Sequence, residues 1–217
     1  MTSRPIGVRA ATLDPELLVG VAAATPGMSD WSLEMLRDEE AQLYLIGSQV
    51  EARRQVNDDR ARLTVYSDHP PVGPNAGPLA RGAATVTLLA GDAADPQALA
   101  ARLRDAVAAA RLTDNPPFAL PGMPSDGYPS VATYDTALDG DLPALLDETA
   151  ARVQAAVAAE PEVRLSSAEL YATRSARGFR NSRGAQSAGR GTRIALDLVL
   201  IAGEGESAAE MHGDFTR

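Results

Sequence analysis

The chain repeats a short β-type segment, and this repeat limits the possible folds more than any other feature of the sequence. Ala-Gln-Leu-Tyr-Leu at 41–45 has a counterpart, Ala-Glu-Leu-Tyr-Ala, at 168–172. In each copy a later alternating segment ends in Ala-Gly and an acidic residue, at 84–92 and 196–204. Two copies are too few for a repeat array, so the similarity predicts two related antiparallel β-units within one chain.

Helices and strands are expected around these segments. The predicted strands are 41–55, 60–67 and 83–91 in the first copy, and 166–180, 185–190 and 192–202 in the second, with polar turns at 57–59 and 181–184. A segment at 207–217 is expected to begin another strand. Aspartate caps and first-turn prolines favour helices at 14–24, 31–39, 95–112 and 142–159. The predicted fold class is α+β, a two-layer sandwich with a duplicated antiparallel β-unit and helices packed on one face.

The chain is expected to have three parts. Residues 1–112 and 141–217 each hold one helix and β-unit half, and 113–140 form a linker with five prolines that runs over the surface. Because the chain stops within a strand-like segment, we expect one domain that is truncated at its C-terminus.

The composition excludes several kinds of chemistry. The 217 residues carry a net charge of −9, with no cysteine, no lysine and only two histidines, His69 and His212. Disulfides, thiolate metal sites and lysine-based catalysis are therefore excluded, and a nucleic-acid surface is disfavoured. No apolar run is long enough to span a membrane, and the N-terminus lacks a signal-peptide pattern, so the expected compartment is a bacterial-type cytoplasm.

Three local patterns have both a functional and a structural interpretation. Glu210, His212 and Asp214 share one strand face, which indicates either a divalent-metal site or a solvated surface. Asp68 and His69 are adjacent on extended chain and therefore point to opposite faces, which disfavours a catalytic dyad. The loop 184–191 lacks the lysine and the helix of a phosphate-binding loop.

Six arginines form a basic cluster without an intervening acid. One interpretation is a groove for an acidic partner, a peptide carboxylate or a nucleic-acid backbone. The other is a set of edge-strand arginines that keep the sheet soluble. The cluster consists of Arg174, Arg177, Arg180, Arg183, Arg190 and Arg193.

A set of motifs in the second half resembles a known family. The stretch 115–121 (Asn-Pro-Pro-Phe-Ala-Leu-Pro) is followed by Tyr128-Pro129, by Tyr134-Asp135, by a capped helix, and by Asn181-Ser182-x-Gly184 after a strand. In this order and spacing the chain, over about residues 30–217, resembles the N-terminal half of the TldD/PmbA family of metallopeptidases.

The resemblance implies a cytoplasmic subunit of about twice this length or more. Its N-terminal region is a platform, and a His-Glu-x-x-x-His sequence in the C-terminal half of the catalytic subunit holds zinc and cleaves unfolded peptides. This chain contains no such sequence, so no catalytic residue and no cofactor are predicted in it. Either a C-terminal half is missing, or the parent is the motif-free TldE/PmbA partner subunit.

The resemblance leads to a prediction of function. The chain is expected to contribute peptide-binding and subunit-contact surface, with unfolded peptide and a paired family subunit or a second copy as partners. Arg180, Asn181 and Arg190 are the candidate contact residues, and Glu210, His212 and Asp214 remain an outside candidate for a metal. The alternative is a stand-alone interaction module that self-associates through edge strands. Neither interpretation involves nucleic acid or a membrane.

Overall fold

The computed structural model describes residues 13–71, 78–205 and 208–217. Within them the helices are α1 (Pro15–Ala24), α2 (Pro96–Ala110) and α3 (Leu142–Ala158), with short 3-10 turns at Ala90–Ala93 and Thr136–Asp139. The strands are β1 (Asp30–Ile46), β2 (Gln49–His69), β3 (Ala80–Leu89), β4 (Val163–Asn181), β5 (Gln186–Ala202) and β6 (Ala209–Thr216). No helix among these residues is long and apolar enough to cross a membrane.

The six strands form one antiparallel sheet in the order β3-β2-β1-β4-β5-β6. Each half of the chain therefore supplies three strands in succession, and β1 of the first half pairs with β4 of the second. The N–H of Gly47 donates to the carbonyl of Ser166, and Thr173 Oγ1 donates to Glu40. Both bonds fit one register, which places the two copies of the repeated segment, 41–45 and 168–172, opposite each other. The predicted duplicated β-unit is confirmed.

Two compact units divide the chain, and the long strands run through both. The first takes the residues up to Leu36, then Asp59–Pro129 and Arg177–Ala188. The second takes Arg37–Asp58, Ser130–Ala176 and Gly189–Arg217. The predicted division into 1–112, 113–140 and 141–217 separates consecutive parts of the sequence, whereas each of these units combines distant segments. That division stays a prediction.

The core of the first unit lies between two helices and three strands. Leu18 of α1 and Leu99 and Leu103 of α2 are fully buried, and they belong to one apolar cluster with strand residues such as Leu63 and Leu88. Asp14 and Asp95 cap the two helices, each followed by a proline at the first helical position. One face of the sheet is thus covered by helices in this unit.

The core of the second unit lies between α3 and the repeated segments. Leu142 and Leu146 of α3 pack in one buried cluster with Leu43 of β1 and Leu170 of β4. Asp141 caps α3 as the sequence predicts. Because each unit places helices on one sheet face, the predicted two-layer α+β class is confirmed.

Several predicted boundaries are wrong. The predicted helix 31–39 lies within β1, because pairing with both neighbouring strands overrides its helical propensity. The predicted strand 41–55 is interrupted at Gly47-Ser48, where Gly47 has a φ of 57° and closes a tight hairpin. The predicted turn at 57–59 lies inside β2, which is 21 residues long.

The second half differs from expectation in smaller ways. The predicted strands 185–190 and 192–202 are one strand, β5. The two Ala-Gly endings of the repeat lie where β3 and β5 end, Ala90-Gly91 in the 3-10 turn after β3 and Ala202-Gly203 at the end of β5. These are the third strand of one half and the second of the other. The last predicted strand corresponds to β6, although its first residue, 207, lies outside the described residues, as do residues 1–12 of the N-terminal segment.

Candidate functional site

Asn181, a predicted contact residue, holds the turn between β4 and β5. Its side chain is 5% exposed, and its Oδ1 accepts the N–H groups of Arg183 and Ala185 at 2.9 and 3.0 Å. Its Nδ2 donates to the carbonyl of Pro121 at 2.8 Å. These three hydrogen bonds satisfy the buried side-chain amide, so the turn alone explains why asparagine occupies this position. A contact with peptide stays a prediction.

Arg180 and Arg190 both bind acidic groups of their own units. Arg180 is paired with Glu16 of α1 at 2.5 Å in the first unit. In the second unit the guanidinium of Arg190 lies 3.8 Å from the centroid of the Tyr134 ring and 3.7 Å from Asp139. Their predicted role at a peptide or partner also stays a prediction.

Two further arginines of the basic cluster are likewise engaged. Arg174 donates to the carbonyls of residues 138–140 and to Glu39 at 2.7 Å. Arg183 lies 2.8 Å from Asp30. Four of the six arginines therefore have anionic or carbonyl partners within the protein. The edge-strand interpretation is wrong, because β4 and β5, which carry five of the six, each pair with a strand on both sides.

A buried charge cluster occupies one end of the first unit. Asp30 is 2% exposed and Arg81 is 5% exposed, with 3.0 Å between Nη1 of Arg81 and the Asp30 carboxylate. Arg81 also donates two bonds to Asp68, at 2.6 and 2.8 Å. The adjacent His69 turns away from Asp68, since its ring nitrogens face the carbonyls of Pro70 and Thr113. The residues Asp68 and His69 thus do not form a dyad.

The last strand, β6, has an open outer edge. It lies at the end of the sheet and pairs with β5 alone among the strands of the described residues. The N–H and C=O of Arg217 both bond to Ile194, so 217 and 194 form a hydrogen-bonded pair. Since such pairs alternate along an antiparallel ladder, the backbone groups of Met211, Gly213 and Phe215 also face β5.

The outward backbone groups therefore belong to the intervening residues. Glu210, His212, Asp214 and Thr216 direct their N–H and C=O groups away from the sheet. The three predicted metal candidates are thus the same residues whose backbone donors and acceptors have no strand partner among residues 13–71, 78–205 and 208–217. Sequence reasoning grouped them by their period of two but assigned no role to their backbone.

Carboxylates gather on the face that these side chains share. Asp214 lies opposite Asp197 of β5, and Glu169 of β4 faces the same pocket of about 320 Å³. Desolvation and the charge of Asp214 raise the pKa of Asp197 above its usual value. Tyr171 donates a hydrogen bond to Glu169, and this bond together with burial raises the pKa of Tyr171 to about 12.

The three predicted metal residues do not converge. Nε2 of His212 lies 3.0 Å from Glu210, whereas Asp214 interacts with Asp197. Among the residues of 13–71, 78–205 and 208–217, no group of three or more acidic, histidine or cysteine side chains has a geometry for holding a metal ion. The arrangement supports an acidic surface rather than a coordination site.

The opposite face of β6 is apolar. Met211 is 59% exposed and Phe215 is 60% exposed. The Phe215 ring leans over Gly213, where an added Cβ would lie 2.8 Å from it. The edge of β6 thus presents free backbone groups with carboxylates on one side and apolar side chains on the other. Sequence reasoning missed Asp197, Glu169 and Met211 here, and the available signal was Asp197, a single acid within the otherwise apolar segment 194–202.

Comparison with known proteins identifies the fold. No protein-family model and no curated protein matches the sequence. Among solved structures, TldE from Thermococcus kodakarensis matches with a TM-score of 0.72 and 12% identity over 93% of this chain. A proposed modulator of a DNA gyrase from Thermotoga maritima matches with a TM-score of 0.67 and 10% identity, and one from Bacteroides thetaiotaomicron with 0.67 and 13%.

The matched proteins are longer than this chain. The chain covers 43% of the Thermococcus and Bacteroides proteins and 42% of the Thermotoga protein. It therefore has the fold of somewhat less than half of a TldE-type protein, as the sequence resemblance predicts.

Proposed function

We propose that the chain is the N-terminal platform domain of a cytoplasmic TldD/PmbA-family subunit, with TldE as one named example of the fold. The observation that carries the proposal is the match over 93% of this chain to 43% of TldE. A domain that accounts for less than half of such a protein leaves the remaining part to supply other functions. In the proposal, this chain provides surface for unfolded peptide and for a paired subunit or second copy, and it contributes no bond-breaking groups.

Exposed strand edges of the sheet are the proposed peptide-binding element. A strand edge binds extended chains through backbone hydrogen bonds, which suits a protein that takes peptides of many sequences. We retain Arg180, Asn181 and Arg190 as proposed contacts to peptide or to a partner subunit. Each contact would use the part of the side chain that its bonds within the protein leave exposed.

The gene that encodes the chain provides the test of the family proposal. An open reading frame that continues for about the length of a second domain after Arg217 is expected. A His-Glu-x-x-x-His sequence in it would assign the parent to the catalytic subunit, and a continuation without it would assign the parent to the partner subunit. A stop codon directly after Arg217 would contradict the proposal.

Zinc provides an independent test of the chemistry. In the proposal, zinc is held only by the C-terminal half of the catalytic subunit, so zinc added to this chain is expected to leave its Tm unchanged. A saturable rise in Tm with zinc would overturn this and would return Glu210, His212 and Asp214 to the role of ligands.

The alternative is a stand-alone module that self-associates through its edge strands. The open edge of β6 is the observation that favours it. Sedimentation velocity of the chain and of His212→Pro separates the two: the platform proposal does not require self-association through β6 and expects the same state for both. A concentration-dependent dimer that a proline at position 212 abolishes would favour the module.

A further inference from the structure

We infer that residues 115–122 (Asn-Pro-Pro-Phe-Ala-Leu-Pro-Gly) are a displaceable strap, an extended segment of the chain that occupies a peptide-binding surface of the first unit. The peptides that replace the strap have the same chemistry: an extended backbone with prolines on both sides of one aromatic residue. The inference rests on the proposed function, since it specifies one surface and one class of unfolded peptide. The contacts that hold the strap in the structure carry it.

The strap begins beside the outer edge of β3. Within the sheet formed by the described residues, β3 is the last strand at its end, and β2 is its strand partner. The N–H of Arg81 points away from β2 and donates to the carbonyl of Asn115 at 2.9 Å, in an isolated antiparallel bridge. The protein therefore covers this part of its own sheet edge in the way that an extended peptide adds to a strand edge.

The aromatic side chain of the strap lies on a cation and a second ring. The Phe118 ring centroid is 5.4 Å from the Arg81 guanidinium, and the ring meets that of Tyr66 edge to face at 5.7 Å and 88°. The carboxylates of Asp68 and Asp30 hold the guanidinium in place beneath the ring. Because an aromatic ring gains cation–π attraction here in addition to contact, the surface favours an aromatic side chain over an aliphatic one.

Asn181 holds the other end of the strap. Its Nδ2 donates to the carbonyl of Pro121 at 2.8 Å, and Gly122 and Gly184 form a second antiparallel bridge. The Oδ1 of Asn181 is used by the turn between β4 and β5, so Nδ2 is the part of the side chain that faces the strap. A carbonyl of an incoming peptide would replace the carbonyl of Pro121, which gives Asn181 the peptide contact proposed for it.

The prolines limit how strongly the chain holds the strap. Pro116, Pro117 and Pro121 have no N–H, so the segment forms isolated bridges instead of a continuous ladder. Seven of its eight residues are exposed, and Phe118 itself is 44% exposed. A segment with few bonds and little buried surface opens without unfolding the structure around it. The same prolines keep the segment extended after release, as an exchangeable ligand must be.

The strap competes with any peptide that is added in solution. A tethered segment has an effective concentration on the order of millimolar, so the wild-type chain is expected to bind such a peptide weakly. Weakening the strap without changing the surface beneath it should therefore raise the affinity for the added peptide. This reciprocal effect distinguishes a displaceable strap from a segment that is only part of the fold.

The test uses two fluorescein-labelled octapeptides, one with the sequence of residues 115–122 and one with alanine in place of the phenylalanine. Fluorescence anisotropy is measured with the wild-type chain and with Phe118→Ala, which weakens the strap and leaves Tyr66, Arg81 and Asn181 in place. The phenylalanine octapeptide is expected to bind Phe118→Ala about tenfold more tightly than it binds the wild type. The alanine octapeptide should bind both proteins weakly.

Two further variants locate the effect at the strap. Val131→Ala removes a side chain that is 72% exposed in the same linker, and it should behave as the wild type. Asn181→Asp, added to Phe118→Ala, keeps an oxygen for the turn and loses the donor to the strap, so it should remove the gain in affinity. A gain that Val131→Ala produces equally, or that survives Asn181→Asp, would overturn the inference.

Amide hydrogen exchange tests the strap on the unaltered chain. The N–H of Arg81 bonds to the strap, whereas the N–H of Gly82 faces β2 in the pair with Ser67. Opening of the strap should make Arg81 exchange about tenfold faster than Gly82, after correction for intrinsic rates. Equally slow exchange at both residues would show that the strap opens only with the sheet, and would overturn the inference even if Phe118→Ala failed to fold.

The outcomes separate the inference from the proposed function. Equal binding of the two octapeptides to Phe118→Ala would overturn the selection of an aromatic residue and leave peptide binding in place. Binding of neither octapeptide would overturn the strap as a peptide site. A labelled unfolded polypeptide, reduced and carboxymethylated lactalbumin, is therefore added to the same proteins, and its failure to bind would overturn the proposed function as well.

Discussion

Asp197 of β5 lies directly opposite Asp214 of β6, so two carboxylates face each other across the outermost pair of strands. A pair of like charges in this position destabilises the folded sheet. The protein therefore holds unfavourable electrostatic energy at β6, which is at one end of the sheet formed by the described residues. A cationic ligand or a proton would relieve it.

Asp197→Asn is expected to stabilise the protein at neutral pH. The pKa of Asp197 is raised in the folded state by desolvation and by Asp214, so the destabilisation is present above that raised pKa and disappears as the pH falls below the unfolded value of 3.8. Thermal midpoints should accordingly rise in the variant at pH 7 and show no difference at pH 3. Glu51→Gln, an exposed carboxylate of β2, serves as the control. A variant that is less stable than wild type at pH 7 would contradict the account.

Arg81→Met is expected to be strongly destabilising. It removes the arginine that pairs with both Asp30, which is 2% exposed and retains only Arg183, and Asp68; removal of one partner of a buried pair typically costs about 3–5 kcal/mol. Urea unfolding gives the change in the free energy of unfolding. Arg62→Met is the matched control, because its pair with Glu34 is exposed and 3.9 Å long, and it should cost about 0–1 kcal/mol. Equal costs for the two variants would show that burial of the pair is unimportant.

Acid should weaken the same cluster. Hydrogen bonds from Arg81 lower the pKa of Asp68, and the pKa of Asp30 is lowered because bonds and charges from Arg183 and Arg81 outweigh the opposing effect of burial. Groups with lowered pKa stabilise the fold fully above the unfolded value of 3.8, and this stability is lost as the pH falls through the folded values.

Urea unfolding between pH 7 and pH 3 measures this dependence. The free energy of unfolding should fall below about pH 4 in the wild type, and the fall should be shallower in Asp68→Asn, which has one such group fewer. Asp126→Asn, at an exposed carboxylate in the linker, should keep the wild-type slope. An unchanged slope in Asp68→Asn would contradict the assignment.

Gly82 is expected to tolerate no side chain. A Cβ at this position would lie 1.7 Å from the carbonyl oxygen of Ala110, so Gly82→Ala must push the end of α2 away from β3 and should cost about 1–3 kcal/mol. Gly20 is the matched control, since it lies within α1 with no atom near the position of a Cβ. Gly20→Ala should stabilise by about 0.5–1 kcal/mol. Chemical denaturation of both variants checks the opposite signs.

Local signals predicted the helices and the duplication. Asp14, Asp95 and Asp141 each cap a helix in the structure, because a cap depends on a few neighbouring residues. The two repeated segments are confirmed as strands, and their direct pairing follows from the antiparallel register of β1 and β4. Fold class was therefore accessible from the sequence.

Strand boundaries that depend on pairing with residues far away in the sequence could not be predicted from local patterns. Residues 31–39 have the composition of a helix, yet they form β1 because β2 and β4 supply backbone partners on both sides. Asn57 and Asp58 resemble a turn but lie in the exposed part of a 21-residue strand. Gly47 was the local signal for the hairpin between β1 and β2. The alternation of apolar and polar residues on both sides of Gly47 instead favoured one continuous strand.

The candidate site was predictable only in part. The shared face of Glu210, His212 and Asp214 follows from the period of a strand, and the sequence indicates it correctly. That these residues occupy the open edge, with Asp197 opposite Asp214, depends on strand order. No local pattern in the sequence specifies that order.

Amide hydrogen exchange across β6, followed by NMR, tests the central claim most directly. The account predicts slow exchange for Met211, Gly213 and Phe215, whose N–H groups face β5, and fast exchange for Glu210, His212 and Asp214, whose N–H groups face outward. Equal protection of both sets would show that the edge is already covered, and would contradict the account.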